Sequence, residues 1–287
     1  MTTAYRPRRS VLYMPSSNER ALEKAKALGC DALILDLEDA VAPDAKPAAR
    51  DNACAAAKSG EYGRREITIR VNGIGTEWHE ADLAAASAAG PDGIVVPKVN
   101  SPKEVRQLAE AMRDFGAPET TKLWAMIETP EAIFEADKIA RADERLACFV
   151  IGTNDLVKEL QALHVPGRAP VLTSLSMALL AARRAGIAIV DGVYNDVKDA
   201  EGFAAECRQG REMGFDGKTL IHPGQIDACN AAFSPSESEI EEAEGIVAAW
   251  RDGAGTGVVT YNSKMIERLH VDIAERVLAV HEAVTAG

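Results

Sequence analysis

Two carboxylates follow neighbouring apolar runs of the sequence and have the chemistry of a divalent-cation site. Glu128 ends the run KLWAMI (122–127), and Asp155 follows the run ACFVIG (147–152). If these runs are adjacent strands, the two acids repel each other unless a cation lies between them. Mg²⁺ is usually held by one or two carboxylates, with water and substrate in its other positions, so we expect Mg²⁺, or Mn²⁺ in its place. Taken singly, each acid is equally well explained as an acid at a helix N-terminus.

Further polar side chains follow other apolar runs. Glu38 and Asp39 come after DALILDL (31–37), Arg70 and Asn72 close EITIRV (66–71), Lys98 lies near the end of DGIVVPKV (92–99), and Tyr194 follows GIAIVDG (186–192). An arginine beside a metal-bound oxyanion suits an enzyme that forms an enolate. A structural ion pair of Arg70 with Asp36 or Asp39 explains that arginine equally well.

The element pattern decides whether these residues can meet. Eight short runs rich in Val, Ile or Leu recur along the chain, as expected of strands buried on both faces. They are SVLYM (10–14), DALILDL (31–37), EITIRV (66–71), DGIVVPKV (92–99), KLWAMI (122–127), ACFVIG (147–152), GIAIVDG (186–192) and DGKTLI (216–221). Stretches with helical spacing and cap residues separate them. The pattern predicts an α/β fold, a TIM (β/α)₈ barrel with its site at the carboxyl ends of the strands, and leaves a doubly wound open sheet as the alternative.

The segment after the eighth run extends beyond the barrel. We assign 1–233 to the barrel catalytic domain and 234–287 to a C-terminal helical lid or oligomerisation extension. The extension is predicted to hold a helix over 234–250, a Gly-rich link and a final helix over 264–286. The apolar face formed by Ile246, Val247 and Trp250 needs another surface to bury it, so we expect an oligomer in which this extension covers a neighbouring subunit.

Composition narrows the class of protein. The chain has 287 residues and a net charge of −12, which argues against nucleic acid or an anionic membrane as the main partner. Five widely spaced cysteines without a C-x-x-C pair, and no apolar run of about 20 residues, indicate a cytoplasmic protein with reduced thiols. A few local cations can still hold a phosphate, since charges are screened beyond about 10 Å.

The motifs resemble those of the citrate lyase beta-subunit-like and malyl-CoA lyase family, within the HpcH/HpaI aldolase superfamily. The matching stretches are RSVLYMPSSNERALEKA, LILDLEDAV, IRVNG, VVPKV, MIETPEA, IGTNDL, DGVYND and KTLIHPGQI. The resemblance implies a TIM barrel that acts on CoA thioesters, with magnesium held by Glu128 and Asp155 and with Arg70 on the oxygens of a keto acid. It also implies CoA phosphates held by Arg20 and Lys24, and a homotrimer or homohexamer.

The chain departs from the family pattern at the proton-transfer position. The family's lid motif usually reads xDGKMID, and its Asp is the acid/base of the lid; here the stretch is TYNSKMIE, with Asn262 at that position. An amide does not transfer a proton at neutral pH. The leading interpretation of the sequence is that the protein is a Mg²⁺-dependent lyase. Such an enzyme cleaves or forms the C–C bond of a 3-hydroxyacyl-CoA such as malyl-CoA, methylmalyl-CoA or citramalyl-CoA.

Two alternatives remain open. Asn262 favours a (3S)-malyl-CoA thioesterase, which releases malate and CoA and in which Glu38 or Asp39 would serve as the base. The second alternative is a barrel that binds CoA esters without turning them over.

Overall fold

The eight predicted strands close into a parallel barrel. The computed structural model describes residues 6–253 and 257–286. Strand order in the barrel follows the sequence, and pairing of Ser10 with Lys218 closes the ring. The TIM-barrel prediction is confirmed, and the open doubly wound alternative is wrong. The strands are β1 Ser10–Pro15, β2 Ala32–Asp36, β3 Glu66–Arg70, β4 Gly93–Val96, β5 Lys122–Ile127, β6 Leu146–Ile151, β7 Ala188–Asp191 and β8 Gly217–Leu220.

Helices surround the barrel and begin where the sequence supplies caps. The Ser101 hydroxyl accepts from the backbone N–H of Glu104, and the Glu104 carboxylate accepts from the backbone N–H of Ser101, which is a capping box. The helices around the barrel are α1 Glu19–Ala25, α2 Lys46–Ser59, α3 His79–Ala89, α4 Pro102–Asp114, α5 Pro130–Ala140, α6 Thr153–Glu159, α7 Leu172–Ala185, α8 Ala200–Met213 and α9 Ile226–Phe233. Among the described residues, no helix combines the length and apolar character needed to span a bilayer.

The barrel interior is apolar below and charged at the mouth. Alternate residues along each strand point inward. The lower part of the lumen is filled by a buried apolar cluster that includes Val11, Ile34, Trp124, Met126 and Val150. Farther along the strands the inward side chains become polar, because the carboxyl ends of the strands reach solvent. The strand ends therefore gather charged groups at one face of the barrel, as the sequence predicted.

The chain divides into two compact units, Arg8–Ala232 and the described residues from Phe233 onward together with Arg6 and Pro7. The second unit contains α10 Glu237–Asp252, β9 Val259–Tyr261, β10 Lys264–Ile266 and α11 Arg268–Thr285. Its lid function stays a prediction.

Two expectations for the C-terminal unit were wrong. The final helix does not begin at Lys264, because Lys264–Ile266 pairs antiparallel with Val259–Tyr261 as a hairpin. The predicted Gly-rich link is shorter than expected, since α10 continues through Asp252; residues 254–256 of that link lie outside the described residues.

The apolar face of α10 is also less available than expected. Ile246, Val247 and Trp250 are half-buried, and α10 packs against α11. Among the described residues of this unit, Met265, Leu269 and Ile273 are the large apolar side chains that are more than half exposed. The oligomer that the sequence led us to expect stays a prediction.

Candidate active site

Glu128 is a buried carboxylate at the mouth of the barrel. It follows β5, is 2 % exposed, and accepts a hydrogen bond of 2.8 Å at Oε1 from the backbone N–H of Lys98. A β-carbon at Gly152 would lie 2.0 Å from Oε2 of Glu128, so only glycine permits this approach. Burial, followed by the charge of Asp155, raises the pKa of Glu128 to about 7. An anionic Glu128 is therefore costly without a compensating cation.

Asp155 lies in the first turn of α6, next to the strand end that faces Glu128. Lys98 places its ammonium 3.2 Å from Oδ1 of Asp155. Lys98 itself has a positive φ of 52°, a sparsely populated conformation for a residue with a side chain. The backbone N–H of Lys98 therefore donates to Glu128, while its side-chain ammonium pairs with Asp155. In this arrangement a lysine supplies positive charge to the acid pair.

The donor set suits a hard divalent cation. Glu128 follows β5 and Asp155 follows β6, and after burial the charge of Asp155 is the largest cause of the raised pKa of Glu128. Within residues 6–253 and 257–286, no group of three or more His, Cys, Asp or Glu side chains is arranged to hold a metal. Two carboxylates are the number of protein ligands that Mg²⁺ commonly takes, with water and substrate in its other positions, so Glu128 and Asp155 fit this ion.

Arg70, at the end of β3, is held in place by Asp36 at the end of β2. Nε and Nη2 of Arg70 donate to the two oxygens of Asp36 at 2.6 and 2.7 Å. The two residues are direct partners on β2 and β3. The remaining nitrogen, Nη1, lies 2.7 Å from Oε2 of Glu38 and 3.6 Å from Oδ2 of Asp39. The ion pair of Arg70 with Asp36 that the sequence offered is thus present and orients Nη1, while the contact of Arg70 with a substrate oxyanion stays a prediction.

Glu38 and Asp39 differ sharply in environment. The Glu38 side chain is 15 % exposed and that of Asp39 is 75 % exposed. Burial raises the pKa of Glu38 to about 7, against the lowering effect of Arg70. A carboxyl that titrates near neutral pH is suited to general base catalysis. Glu38 is therefore the stronger base candidate of the two.

A buried lysine holds the loop that carries Glu38. Nζ of Lys46 donates to the carbonyls of Leu37 and Glu38 at 2.8 and 2.9 Å and to Oδ1 of Asn72 at 2.7 Å. The ammonium also lies 4.9 Å from the centre of the Trp78 ring. Lys46 is 5 % exposed, so these groups replace its hydration. The contacts fix the ends of β2 and β3 relative to each other.

Asn72 belongs to the same network. Its amide Nδ2 donates to the Leu37 carbonyl at 3.0 Å and to Oδ2 of Asp82 at 2.6 Å, while its Oδ1 accepts from Lys46. Asp82 in turn accepts from Nε of Arg50 at 2.6 Å. The side-chain amide of Asn72 is thus engaged within the protein, and its predicted substrate contact stays a prediction.

A cavity of about 500 Å³ opens beside Glu38 and Lys98. Its walls combine charged and apolar groups, including Asp39, Trp78 and Ile74. Tyr194, by contrast, lines a second cavity of about 450 Å³ next to α8. Its hydroxyl donates to Asp199 at 2.6 Å, and this hydrogen bond raises the pKa of Tyr194 to about 12. Tyr194 and Glu38 therefore line different cavities, and the predicted contact of Tyr194 with substrate stays a prediction.

The predicted CoA-phosphate residues lie on α1. Arg20 and Lys24 are four residues apart, both exposed, and neither forms a salt bridge within the described part of the chain. They are free to meet an anionic ligand, and their role stays a prediction.

Asn262 lies in the C-terminal unit as one of two residues in the turn of the β9–β10 hairpin. Asn262 and Ser263 have φ values of 45° and 61°, and Tyr261 pairs with Lys264 across the turn. Positive φ at both central residues defines a type I′ turn, in which Asn is favoured at the first position. An Asp–Gly turn has the same geometry, so the turn suits the lid motif that the resemblance implies, and the proton-transfer role of position 262 stays a prediction.

Sequence reasoning did not select Lys46 or Tyr13 for the site. Lys46 stands in an alanine- and proline-rich helix start that reads as surface. Tyr13 lies inside an apolar run, and only the alternation of side chains along β1 could have placed its hydroxyl in the lumen.

The chain matches a known protein family over most of its length. Residues 9–223 match the family model described as HpcH/HpaI aldolase/citrate lyase. The chain belongs to this family. Its relatives include a (3S)-malyl-CoA thioesterase of Cereibacter sphaeroides, 48% identical over 282 residues, which cover 98% of this chain and 96% of that protein. They also include citrate lyase subunit beta of Escherichia coli strain K12, 36% identical over 281 residues, 96% of this chain and 93% of that protein.

A solved structure of a family member carries the expected ligands. Protein CitE from Mycobacterium tuberculosis in complex with magnesium, acetoacetate and coenzyme A superposes with a TM-score of 0.78. It is 29% identical, and the match covers 96% of this chain and 97% of that one. Magnesium and coenzyme A are therefore ligands within this family.

Proposed function

We propose that this protein hydrolyses the thioester of a 3-hydroxyacyl-CoA of the malyl type, releasing the hydroxy acid and CoA. The observation that carries the proposal is Glu38, which supplies a buried carboxyl with a pKa of about 7 at the barrel mouth. Asn262, an amide where the resemblance implies the acid of the lid, supports the proposal because an amide does not transfer a proton at neutral pH. The 48% identity to a named (3S)-malyl-CoA thioesterase supports the same choice.

Hydrolysis needs a base near the attacking water. Ionised Glu38 removes a proton from water as the water oxygen attacks the thioester carbonyl. The C–S bond then breaks, the CoA thiolate leaves, and it takes up a proton. Arg70 holds Glu38 through Nη1 at 2.7 Å, and Lys46 fixes the Glu38 backbone, so the carboxylate has a defined position before substrate binds.

The anionic end of the substrate would be bound by Arg70 and by the groups that follow β5 and β6. We assign Mg²⁺ to Glu128 and Asp155, where it would supply Lewis-acid stabilisation of negative charge on substrate oxygens. Arg70 would contact the carboxylate of the malyl group through Nη1. Lys98, whose ammonium lies 3.2 Å from Oδ1 of Asp155, would be close to the anionic ligand. Arg20 and Lys24 would bind the CoA phosphates.

Cleavage of the C–C bond is the second candidate function. The relatives named citrate lyase subunit beta favour it, and so does an arginine placed to stabilise an enolate. The lyase reaction needs a proton-transfer group that Asn262 does not supply. It was the leading interpretation of the sequence, and it ranks second because of the thioesterase relative. We further propose a homotrimer or homohexamer that uses the exposed face of Met265, Leu269 and Ile273.

Product analysis separates the functions. The purified protein is incubated with (3S)-malyl-CoA and Mg²⁺, and the products are resolved by chromatography. Malate and free CoA support the thioesterase, while glyoxylate and acetyl-CoA indicate the lyase. Tight binding without turnover indicates a barrel that only binds CoA esters.

A further inference from the structure

We propose that Tyr13 is a substrate-binding residue whose hydroxyl donates a hydrogen bond to the carboxylate of an α-hydroxy or α-keto acid group, beside Arg70. The proposal rests on the proposed function only for the name of the full substrate. It adds a specificity-determining side chain to the site.

Tyr13 lies in the lumen of the barrel, directly below the charged groups of the mouth. On β1 its strand partner is Ile34 of the buried apolar cluster, while Pro15 pairs with Asp36. Tyr13 is therefore one inward layer deeper than Asp36. The guanidinium carbon of Arg70 lies 4.8 Å from the centre of the Tyr13 ring. The ring thus forms the floor beneath Arg70.

Two hydrogen-bond donors converge on one poor acceptor at this floor. The Tyr13 hydroxyl lies 4.0 Å from Sδ of Met126, and Nη1 of Arg70 lies 3.9 Å from the same sulfur. A thioether sulfur is a weak acceptor. Among the described residues, the Tyr13 hydroxyl has no nitrogen or oxygen partner. An anionic oxygen between Tyr13 and Arg70 would be a far better acceptor than Met126.

The charges around Tyr13 keep it a donor. Burial raises its pKa well above the ordinary value of 10; Arg70 opposes this shift, and Glu128, Asp36 and Glu38 add to it. The phenol therefore stays protonated throughout the physiological pH range. These four side chains are among the charged groups of the mouth, so Tyr13 lies within the electrostatic field of the site.

Depth identifies which part of the substrate Tyr13 meets. Met126 and Glu128 are two residues apart at β5 and point to the same side, with Met126 deeper. An oxygen at the Tyr13 hydroxyl therefore lies below the Glu128 carboxylate. The lumen beneath is filled with side chains, so the bulky CoA portion cannot enter it. Only the small acid end of the substrate reaches this position.

The test compares Tyr13→Phe with Tyr62→Phe. Tyr62 is a buried tyrosine whose hydroxyl donates to the Leu22 carbonyl at 3.2 Å, so its loss is a matched removal of a buried hydroxyl. Binding of (S)-malate and of pyruvate, each with Mg²⁺, is measured by calorimetry in wild type and both variants. We expect about tenfold weaker binding of at least one acid in Tyr13→Phe, the loss expected for a hydrogen bond to a charged group, and unchanged binding in Tyr62→Phe.

Turnover gives a second, separate reading. With malyl-CoA, Tyr13→Phe should raise KM by about tenfold with kcat within about twofold, because the acid end is bound equally in the ground and transition states. Unchanged acid affinity in Tyr13→Phe, or no binding of either acid by the wild type, overturns the proposal. Acid binding without any CoA-ester turnover by the wild type overturns the proposed function and leaves the assignment of Tyr13 to be decided by the affinities.

Discussion

Arg70 donates two hydrogen bonds to the two carboxylate oxygens of Asp36, from Nε at 2.6 Å and from Nη2 at 2.7 Å. The pair is bidentate, so the guanidinium plane is fixed and Nη1 alone is left for Glu38 and for a ligand. A lysine keeps the charge but cannot reproduce this fork.

Arg70→Lys should therefore lower kcat/KM for a CoA ester by about 10²-fold, the loss typical of a group displaced by about 1 Å. The measurement is steady-state kinetics, with Arg64→Lys, outside the barrel strands, as the control. A variant within threefold of wild type would show that the orientation of Arg70 is unimportant.

Glu38 should make stability depend on pH. Its pKa is about 7 in the folded protein, above the ordinary Glu value of 4.5, so the folded state binds this proton more tightly than the unfolded state. The stability from this group is fully present below about pH 4.5 and is lost as pH rises through about 7. Relative to Glu38→Gln, wild type should lose on the order of 3 kcal/mol of unfolding free energy across this window.

Urea unfolding in EDTA at several pH values measures this difference. Glu110→Gln, an exposed change on α4, should leave the pH dependence of wild type unaltered. Parallel stability curves for wild type and Glu38→Gln would contradict the raised pKa.

Arg20 and Lys24 should bind CoA through charge. Their four-residue spacing places them on one face of α1, and both are exposed. Arg20→Ala and Lys24→Ala should each weaken CoA-ester binding by about two- to fivefold at low salt, with a smaller effect at high salt and none on a free keto acid. Lys58→Ala, an exposed lysine at the end of α2, is the control. Unaltered CoA-ester affinity in both variants would exclude this site.

The hairpin turn separates geometry from proton transfer. Ser263 has a φ of 61°, which costs a residue with a side chain about 1 kcal/mol or more. Ser263→Gly should therefore stabilise the C-terminal unit without changing the reaction.

Asn262→Asp should raise the ratio of glyoxylate to malate formed from malyl-CoA by about 10² or more, since it restores an acid/base group. If wild type is already a fast lyase, Asn262 does not occupy the proton-transfer position.

The sequence allowed the barrel to be predicted because its signals are local and repeated. Eight apolar runs alternate with helical stretches, and this alternation alone places Glu128 and Asp155 after adjacent strands without any knowledge of distances. Side chains that act through long-range contacts were not predictable in this way. Lys46 meets the ends of two strands only after α2 packs against them. The Tyr13 hydroxyl is recognisable as a ligand-binding group only once Met126 and Arg70 are known to lie beside it.

Errors in the C-terminal segment had a different cause. Lys264, Met265 and Ile266 fit a helical apolar pattern, but the type I′ turn at Asn262–Ser263 imposes strand pairing on them. Turn chemistry therefore overrode the apparent helical period at this point.

The central claim is that Glu128 and Asp155 hold a Mg²⁺ ion that turnover requires. It is tested most directly by the dependence of malyl-CoA turnover on Mg²⁺ in wild type, Glu128→Gln and Asp155→Asn. Each protein is first stripped with EDTA, and free CoA release is followed while Mg²⁺ is titrated back. Glu131→Gln, an exposed acid in the first turn of α5, is the matched control. Wild type and the control should be inactive in EDTA and recover fully, whereas loss of either ligand should abolish recovery at millimolar Mg²⁺ with the barrel still folded. Full activity of wild type in excess EDTA, or of Glu128→Gln with Mg²⁺, would contradict the account.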